Sequence, residues 1–385
     1  METKVQRKAG TQFYEEWMQK EGIPIYVGSV GVEDLTELPR QPWARHGGLG
    51  TFIEIAGTKE EGALLYVVEI PAGGSLEPEK HLYNELIYIL RGRGLTEVWH
   101  EGQSKHSFEW GEGSLFAIPT NAWHRLVNGG QQPVFYLAKT TAPVVIDAFQ
   151  NTDFIFNCDY KFTDRYTGRA DYFQATEDRH KEGARTFWET NFVPDVRAAT
   201  LDPLPQKVQG GNITHIRLAT WGECHIAEWP AGVHHKAHYG GAGGAVLLGL
   251  QSKGYVLVWP KWCGIHPYQD GHEDKVIRMD WKPGSIYCSG AGPGEGGQWF
   301  HCHYNTGPEP ARQAALKGGT RRQVSQEGRG QFESLREGDL LGRVIEYDDE
   351  DPEIRRIFKE ELRKNGVEFA MEPVVYRTDP FPYKF

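Results

Sequence analysis

The chain has 385 residues, 52 Asp and Glu against 42 Lys and Arg, and a formal net charge of -10. Acidic and basic residues are mixed along most of its length, leaving no basic stripe to follow a phosphate backbone, so nucleic acid is not an expected partner. No window approaches the roughly 18 apolar residues of a membrane span, and the opening Met1-Glu2-Thr3-Lys4 lacks a secretory apolar run, so the expectation is a cytoplasmic protein with no membrane partner.

In chain order, a weak amphipathic stretch lies near Phe13 to Met18, within an N-terminal arm taken as residues 1–60. Alternating runs follow at Leu64 to Ile70, Leu86 to Leu90 and Leu95 to Trp99, separated by glycine turns. With 46 Gly, 22 Pro and 47 aromatic residues (12 Trp, 17 Tyr, 18 Phe), this pattern predicts many short antiparallel strands. A polar and aromatic connector spans about 143–205, and an extension runs from 313 to 385. In that extension Asp351-Pro352 opens a helix, Ile354, Ile357, Phe358 and Leu362 recur at helical spacing, and Asn365-Gly366 closes it. The five cysteines, Cys158, Cys224, Cys263, Cys288 and Cys302, are odd in number and form no CxxC pair, which argues against a disulfide framework or a structural zinc site.

The chain repeats itself. Pro71-Ala72-Gly73 recurs as Pro230-Ala231-Gly232, Gly94 to Trp99 as Gly254 to Trp259, Gly113-Ser114 as Gly284-Ser285, and His124 with Asn128 as His301 with Asn305. The growing offset requires two insertions, one between Trp259 and Asp280 and one at the glycine-rich run Gly290 to Gly297. Two copies of one β module result, at residues 61–142 and 206–312.

Within the first copy, Gly73 is followed by five residues, Glu79-Lys80-His81, three residues, Glu85, six residues and Gly92. Gly113, Pro119, Asn121, His124 and Asn128 form a second spaced set. These sets resemble the two motifs of the cupin superfamily, with Glu79 where the first motif has its first histidine and Asn121 where the second has a glycine. The resemblance implies an all-β fold: two cupin (jelly-roll) β-barrels in tandem, with an N-terminal arm and a partly helical C-terminal tail. It also implies that His81, Glu85 and His124 hold a divalent metal.

The residue types suit that role. A catalytic divalent ion needs a few fixed N or O ligands and an open position. Residues two apart on a strand face the same way, so Glu79 and His81 can both point inward. Glu85, within an apolar run, needs a partner if buried, and a cation supplies one. With Glu79 outside the shell the set is two His and one carboxylate, the arrangement of non-haem Fe(II) enzymes; with Glu79 inside, it suits Mn(II) and other hard ions. Glu79 and Tyr83 are the candidate acid/base groups. Tyr88, Trp99 and Trp123 are candidates for an aromatic pocket, and Arg45 and His46 for covering a carboxylate-bearing substrate. In the second copy the ligand positions fall on His238, Gly240, Gly244 and His301, so it is expected to be metal-free; His234, with His235 or His303, offers the alternative of a rebuilt second site.

The resemblance covers both copies but many unrelated chemistries use this fold. The leading expectation is an Fe(II)-dependent dioxygenase acting on O2 and a small aromatic or activated organic acid or phenol. The alternatives are a Mn(II) or other divalent-metal lyase, decarboxylase or hydrolase, and a non-catalytic ligand-binding bicupin. A homodimer or larger homo-oligomer is expected from the arm and tail.

Overall fold

A computed structural model of the chain describes residues 13–205, 208–239, 245–290, 292, 298–317 and 344–378. The positions Gly240 and Gly244, and all of the Gly290 to Gly297 run except Gly290 and Gly292, lie outside the described residues, as do residues 318–343 of the extension.

Two β-sandwiches of unequal sheets account for most of the chain. In the first, the large sheet runs in the order Ile25–Val27, Leu49–Glu54, Leu64–Ile70, Val134–Thr140, Glu85–Arg91, Leu115–Ile118 and Phe192–Val193, with Gln41–Pro42 beside Leu49–Glu54. Its small sheet holds Trp123–Val127, Arg93–Trp99 and His106–Gly111. The second repeats the plan: Asn212–Leu218, Gly222–Trp229, Ala311–Leu316, Val246–Gln251 and Ile286–Cys288 form the centre of a large sheet, facing His238–Tyr239, Trp299–Asn305, Gly254–Pro260 and Ile277–Trp281. Nearly all ladders are antiparallel, so hairpins and short crossovers suffice and no helix is needed between strands. The topology is a tandem pair of jelly-roll barrels, as the resemblance implies.

The barrels begin earlier and share more than the repeat alone suggests. The expected arm supplies three strands to the first large sheet, and its Gly31–Val32 pairs with Ile286–Cys288 of the second barrel. The expected connector supplies Asp178–Glu182 and Arg185–Glu189 to the second large sheet, while its Phe192–Val193 pairs with Leu115–Ile118 of the first. These strands were illegible because they lie outside the repeated segment.

Strand period two then sorts the cores. Along Glu85–Arg91, Ile87 and Ile89 join the first barrel's interior, while Leu86 and Tyr88 face a separate core between the two large sheets, shared with Ile216, Ile226, Leu248 and Leu316. The expected amphipathic stretch is the helix Phe13–Glu21, whose Tyr14, Trp17 and Met18 close one end of the first barrel. No helix among the described residues is long and apolar enough to cross a membrane.

The expected C-terminal helix spans Pro352–Asn365, with Asp351 accepting from the Glu353 amide at 3.0 Å and Gly366 left-handed at φ 67°. Ile354, Phe358 and Leu362 form its buried face and join the second barrel's core, where Phe358 meets Tyr304 and the ring of His234. Phe358→Ala is therefore expected to lower stability by about 3–5 kcal/mol, read by urea unfolding of the full chain.

Candidate metal centre

The first barrel's inner face brings together the four positions that the motif spacing singles out. Glu79 and His124 sit opposite each other across an antiparallel bridge, exchanging backbone hydrogen bonds of 3.0 and 2.9 Å. Asn121, left-handed at φ 57°, turns the chain just before His124 and donates its amide to the His81 carbonyl at 2.9 Å. The motif asparagine, Asn128, points away from the ligands. Its amide nitrogen donates to the carbonyls of Ile70, Pro71 and Gln132 and locks the turn that begins the motif.

His81 Nε2 lies 3.2 Å, and His124 Nε2 3.5 Å, from the same Glu85 oxygen, Oε2. Glu79 Oε1 is 3.8 Å from His124 Nε2. Ligand atoms of Glu79, His81 and His124 all lie within 4.8 Å of one another, and all four residues are buried. The imidazoles are pre-set for coordination: His81 Nδ1 is 2.8 Å from the Tyr83 carbonyl and His124 Nδ1 is 3.2 Å from that of Ala122. Donation to a carbonyl keeps the proton on Nδ1 and the lone pair on Nε2, facing Glu85.

The two carboxylates are treated differently. Glu79 Oε1 is 2.6 Å from His46 Nδ1, and Glu79 Oε2 is bonded by Arg45 Nη1. Burial pushes the Glu79 carboxyl up, but the His46 and Arg45 charges outweigh it and hold the group well below the usual carboxylate range. Glu85 has no such cation: its described ion-pair partners are His81 and His124, and Tyr66 donates its hydroxyl to Oε1. Burial again works against its charge, and the two imidazoles pull it down. That pull requires imidazoles that are protonated toward Glu85, and Glu85 in turn outweighs burial and raises His124; a divalent cation between the one carboxylate and the two imidazoles would take the place of those protons, and the donor set fits one.

Arg45 and His46 reach Glu79 because of a tight hairpin between Gln41–Pro42 and Leu49–Glu54. Gly47 and Gly48 are both left-handed, at φ 81° and 67°, and a side chain on Gly47 would come within 2.8 Å of the Glu77 amide. Glu21 holds Arg45 Nε at 2.9 Å, and His46 Nε2 lies 2.6 Å from the Tyr136 hydroxyl.

The other expected residues divide. Tyr83 is at the site, its ring stacked on His81 at 3.8 Å and 7°, and burial pushes its phenol well above the ordinary range, so it is a neutral hydroxyl. Tyr88 is not at the site; it faces the core between the barrels. Trp99 and Trp123 stack on each other at 6.1 Å on the outer side of the small sheet, under Lys105 and Lys80, because each is one residue out of step with the inward face that carries His124. Arg45 and His46 bind Glu79 rather than lying open above the barrel. Tyr66, Tyr136 and Glu21 were not singled out by sequence: the two tyrosines sit in plain apolar strands, and Glu21 in a helix, with no spacing signal.

In the second barrel His234 faces outward beneath the C-terminal helix, 3.6 Å from Glu350, and burial pushes its imidazole down to about 3. The expected trio of His234, His238 and His301 is therefore split, with only His238 and His301 side by side, at 4.1 Å between ring centres.

The family model for the cupin domain matches residues 66–138, the segment that carries all four of these positions, and the second barrel repeats its topology. The first barrel thus carries a cupin domain, and the second has the same strand plan. Among solved structures, the chain is similar to the coconut allergen cocosin (15% identity, 80% of this chain and 89% of that one, TM-score 0.48). It is also similar to Lactobacillus farciminis oxalate decarboxylase in a formate complex (10%, 76% and 88%, TM-score 0.46) and to pumpkin seed globulin (11%, 75% and 84%, TM-score 0.46). No curated protein sequence matches the chain. A decarboxylase and a seed globulin share this level of likeness, so the likeness separates no activity from another.

Ligand binding to the folded state alone raises stability by about 2.7 kcal/mol at a hundredfold excess over Kd. Chelator-stripped protein is accordingly expected to gain melting temperature on addition of Fe(II) or Mn(II), and His124→Ala to lose that first-barrel response, read by scanning fluorimetry.

Proposed function

We propose that this two-barrel protein is a metal-dependent oxidoreductase, an Fe(II) dioxygenase in which His81, Glu85 and His124 hold the ion, acting on a small aromatic or activated organic acid or phenol. The observation that carries this reading is that both oxygens of Glu79 are already engaged, by His46 and Arg45, which leaves three ligands and open positions. Fe(II) in such a site supplies redox chemistry toward O2 and a binding point for a substrate oxygen.

The chain's own groups supply the rest. Arg45 Nη2 is buried and has no hydrogen-bond partner, although Nη1 and Nε are both used, so it is positioned to take a substrate carboxylate. The Arg45 guanidinium also lies over Phe156, Trp43 and Trp17, which hold it in place. His46 spans Glu79 Oε1 and the Tyr136 hydroxyl, 2.6 Å from each, and fixes the Glu79 carboxylate in place, while burial keeps the Tyr136 phenol well above its ordinary range as a neutral hydroxyl. The stacked ring of Tyr83 fixes the plane of His81 and walls one side of the site.

A second reading, a Mn(II) lyase or decarboxylase, is favoured by one distance. Glu79 Oε1 at 3.8 Å from His124 is close enough to join the shell if His46 lets it go, giving a harder set of two carboxylates and two imidazoles.

Two experiments test the choice. With Fe(II)-loaded protein and a panel of hydroxybenzoates, catechols and small keto acids, the proposal expects oxygen uptake that disappears in His81→Ala; turnover of the same panel without oxygen on Mn(II) would support the lyase instead. Arg45→Met, which removes the cation on Glu79 Oε2 and leaves more negative charge at the site, is expected to raise Mn(II) affinity at least tenfold by isothermal titration while lowering affinity for carboxylate ligands.

A further inference from the structure

The two carboxylates of the first barrel are held by different kinds of group. Both oxygens of Glu79 are met by basic side chains, His46 on Oε1 and Arg45 on Oε2. Glu85 divides its oxygens instead. Oε2 faces the imidazoles, 3.2 Å from His81 Nε2 and 3.5 Å from His124 Nε2, while Oε1 accepts from the hydroxyl of Tyr66. A neutral hydroxyl occupies one oxygen without cancelling the charge that draws a cation, which a guanidinium in its place could not do.

Tyr66 is held so as to make that bond. It lies on the strand Leu64–Ile70 with its ring in the first barrel's core, opposite Phe52 on the neighbouring strand. The ring meets Trp43 edge-on at 5.2 Å and Phe52 edge-on at 6.3 Å, which fixes where the hydroxyl points. Burial pushes the phenol well above its ordinary range, so the hydroxyl keeps its proton and stays a donor.

The second barrel supplies a comparison within the same chain. The step from Pro71-Ala72-Gly73 to Pro230-Ala231-Gly232 carries Tyr66 onto His225 and Glu85 onto Gly244. Where the carboxylate is missing the hydroxyl is missing too, so the strand itself does not require a tyrosine.

A carboxylate can bind an ion through one oxygen or through two, and the second oxygen takes a position that a substrate oxygen or O2 would otherwise use. We propose that Tyr66 is a positioning residue that keeps Glu85 to one metal-binding oxygen, Oε2, and so holds a coordination position open. This rests on the reading of His81, Glu85 and His124 as the ligands, and it applies equally to Fe(II) and to Mn(II).

The test counts metal-bound water in the full-length protein loaded with Mn(II), by electron–nuclear double resonance in deuterated water. Tyr66→Phe, which frees Oε1, is expected to hold one bound water fewer than wild type. Phe52→Leu, which loosens the packing of the ring and keeps the hydroxyl, is expected to match wild type. An unchanged count in Tyr66→Phe, or an equal loss in Phe52→Leu, would overturn the proposal and leave the metal site standing. Mn(II) binding that His124→Ala does not weaken would overturn the metal site and the role of Tyr66 with it. Should Tyr66→Phe fail to fold, a crystal structure of the Mn(II)-loaded wild type decides: Oε2 alone on the ion with Oε1 on Tyr66 supports the proposal, and both oxygens on the ion contradict it.

Discussion

The structure turns on two carboxylates, Glu79 and Glu85, buried within one barrel interior. A buried carboxylate must be paired or must lose its charge. The chain gives them different partners. Glu79 receives a guanidinium and an imidazole from a hairpin that precedes the repeated module, and Glu85 receives two imidazoles whose protons are turned away toward backbone carbonyls. The first carboxylate is neutralised by protein; the second has only the two imidazoles, and it is there that a metal ion is proposed. The hairpin with Gly47 and Gly48, the stacked Tyr83 and the hydroxyls of Tyr66 and Tyr136 all serve that division.

Much of this was legible in the sequence because it is local or repeated. The helix Pro352–Asn365 carries its start, face and stop in one short window, and motif spacing alone picks out His81 and His124, which meet at Glu85, and Glu79, which lies beside His124. What was illegible is what arrives from outside the repeat. Nothing near Arg45 says that it will bond Glu79, because the contact depends on a strand pairing, Leu49–Glu54 on Leu64–Ile70, that no local pattern announces. The aromatic residues misled for a related reason. Trp99 and Trp123 are near the ligands in sequence, yet an odd step along a strand places them on the far side of the sheet.

The two barrels illustrate how a duplicated frame separates tasks. Topology and the asparagine lock are kept: Asn305 donates to the carbonyls of Pro230 and Glu309 as Asn128 does to those of Pro71 and Gln132. The interiors diverge, carboxylates and an apolar floor in one, histidines, a tyrosine and a glutamine in the other. Shared edge strands and the core between the large sheets bind the two halves into one unit, so each interior can change while the other supports the fold.

The most direct test of the central claim is a crystal structure of the anaerobically iron-loaded protein, with the ion located by anomalous scattering at the iron edge. The account predicts His81 Nε2, His124 Nε2 and a Glu85 oxygen at about 2.0–2.2 Å from iron, distances usual for N and O ligands, with Glu79 still bonded to Arg45 and His46. Iron bound by Glu79 with Arg45 displaced, or an iron peak away from Glu85, would contradict it.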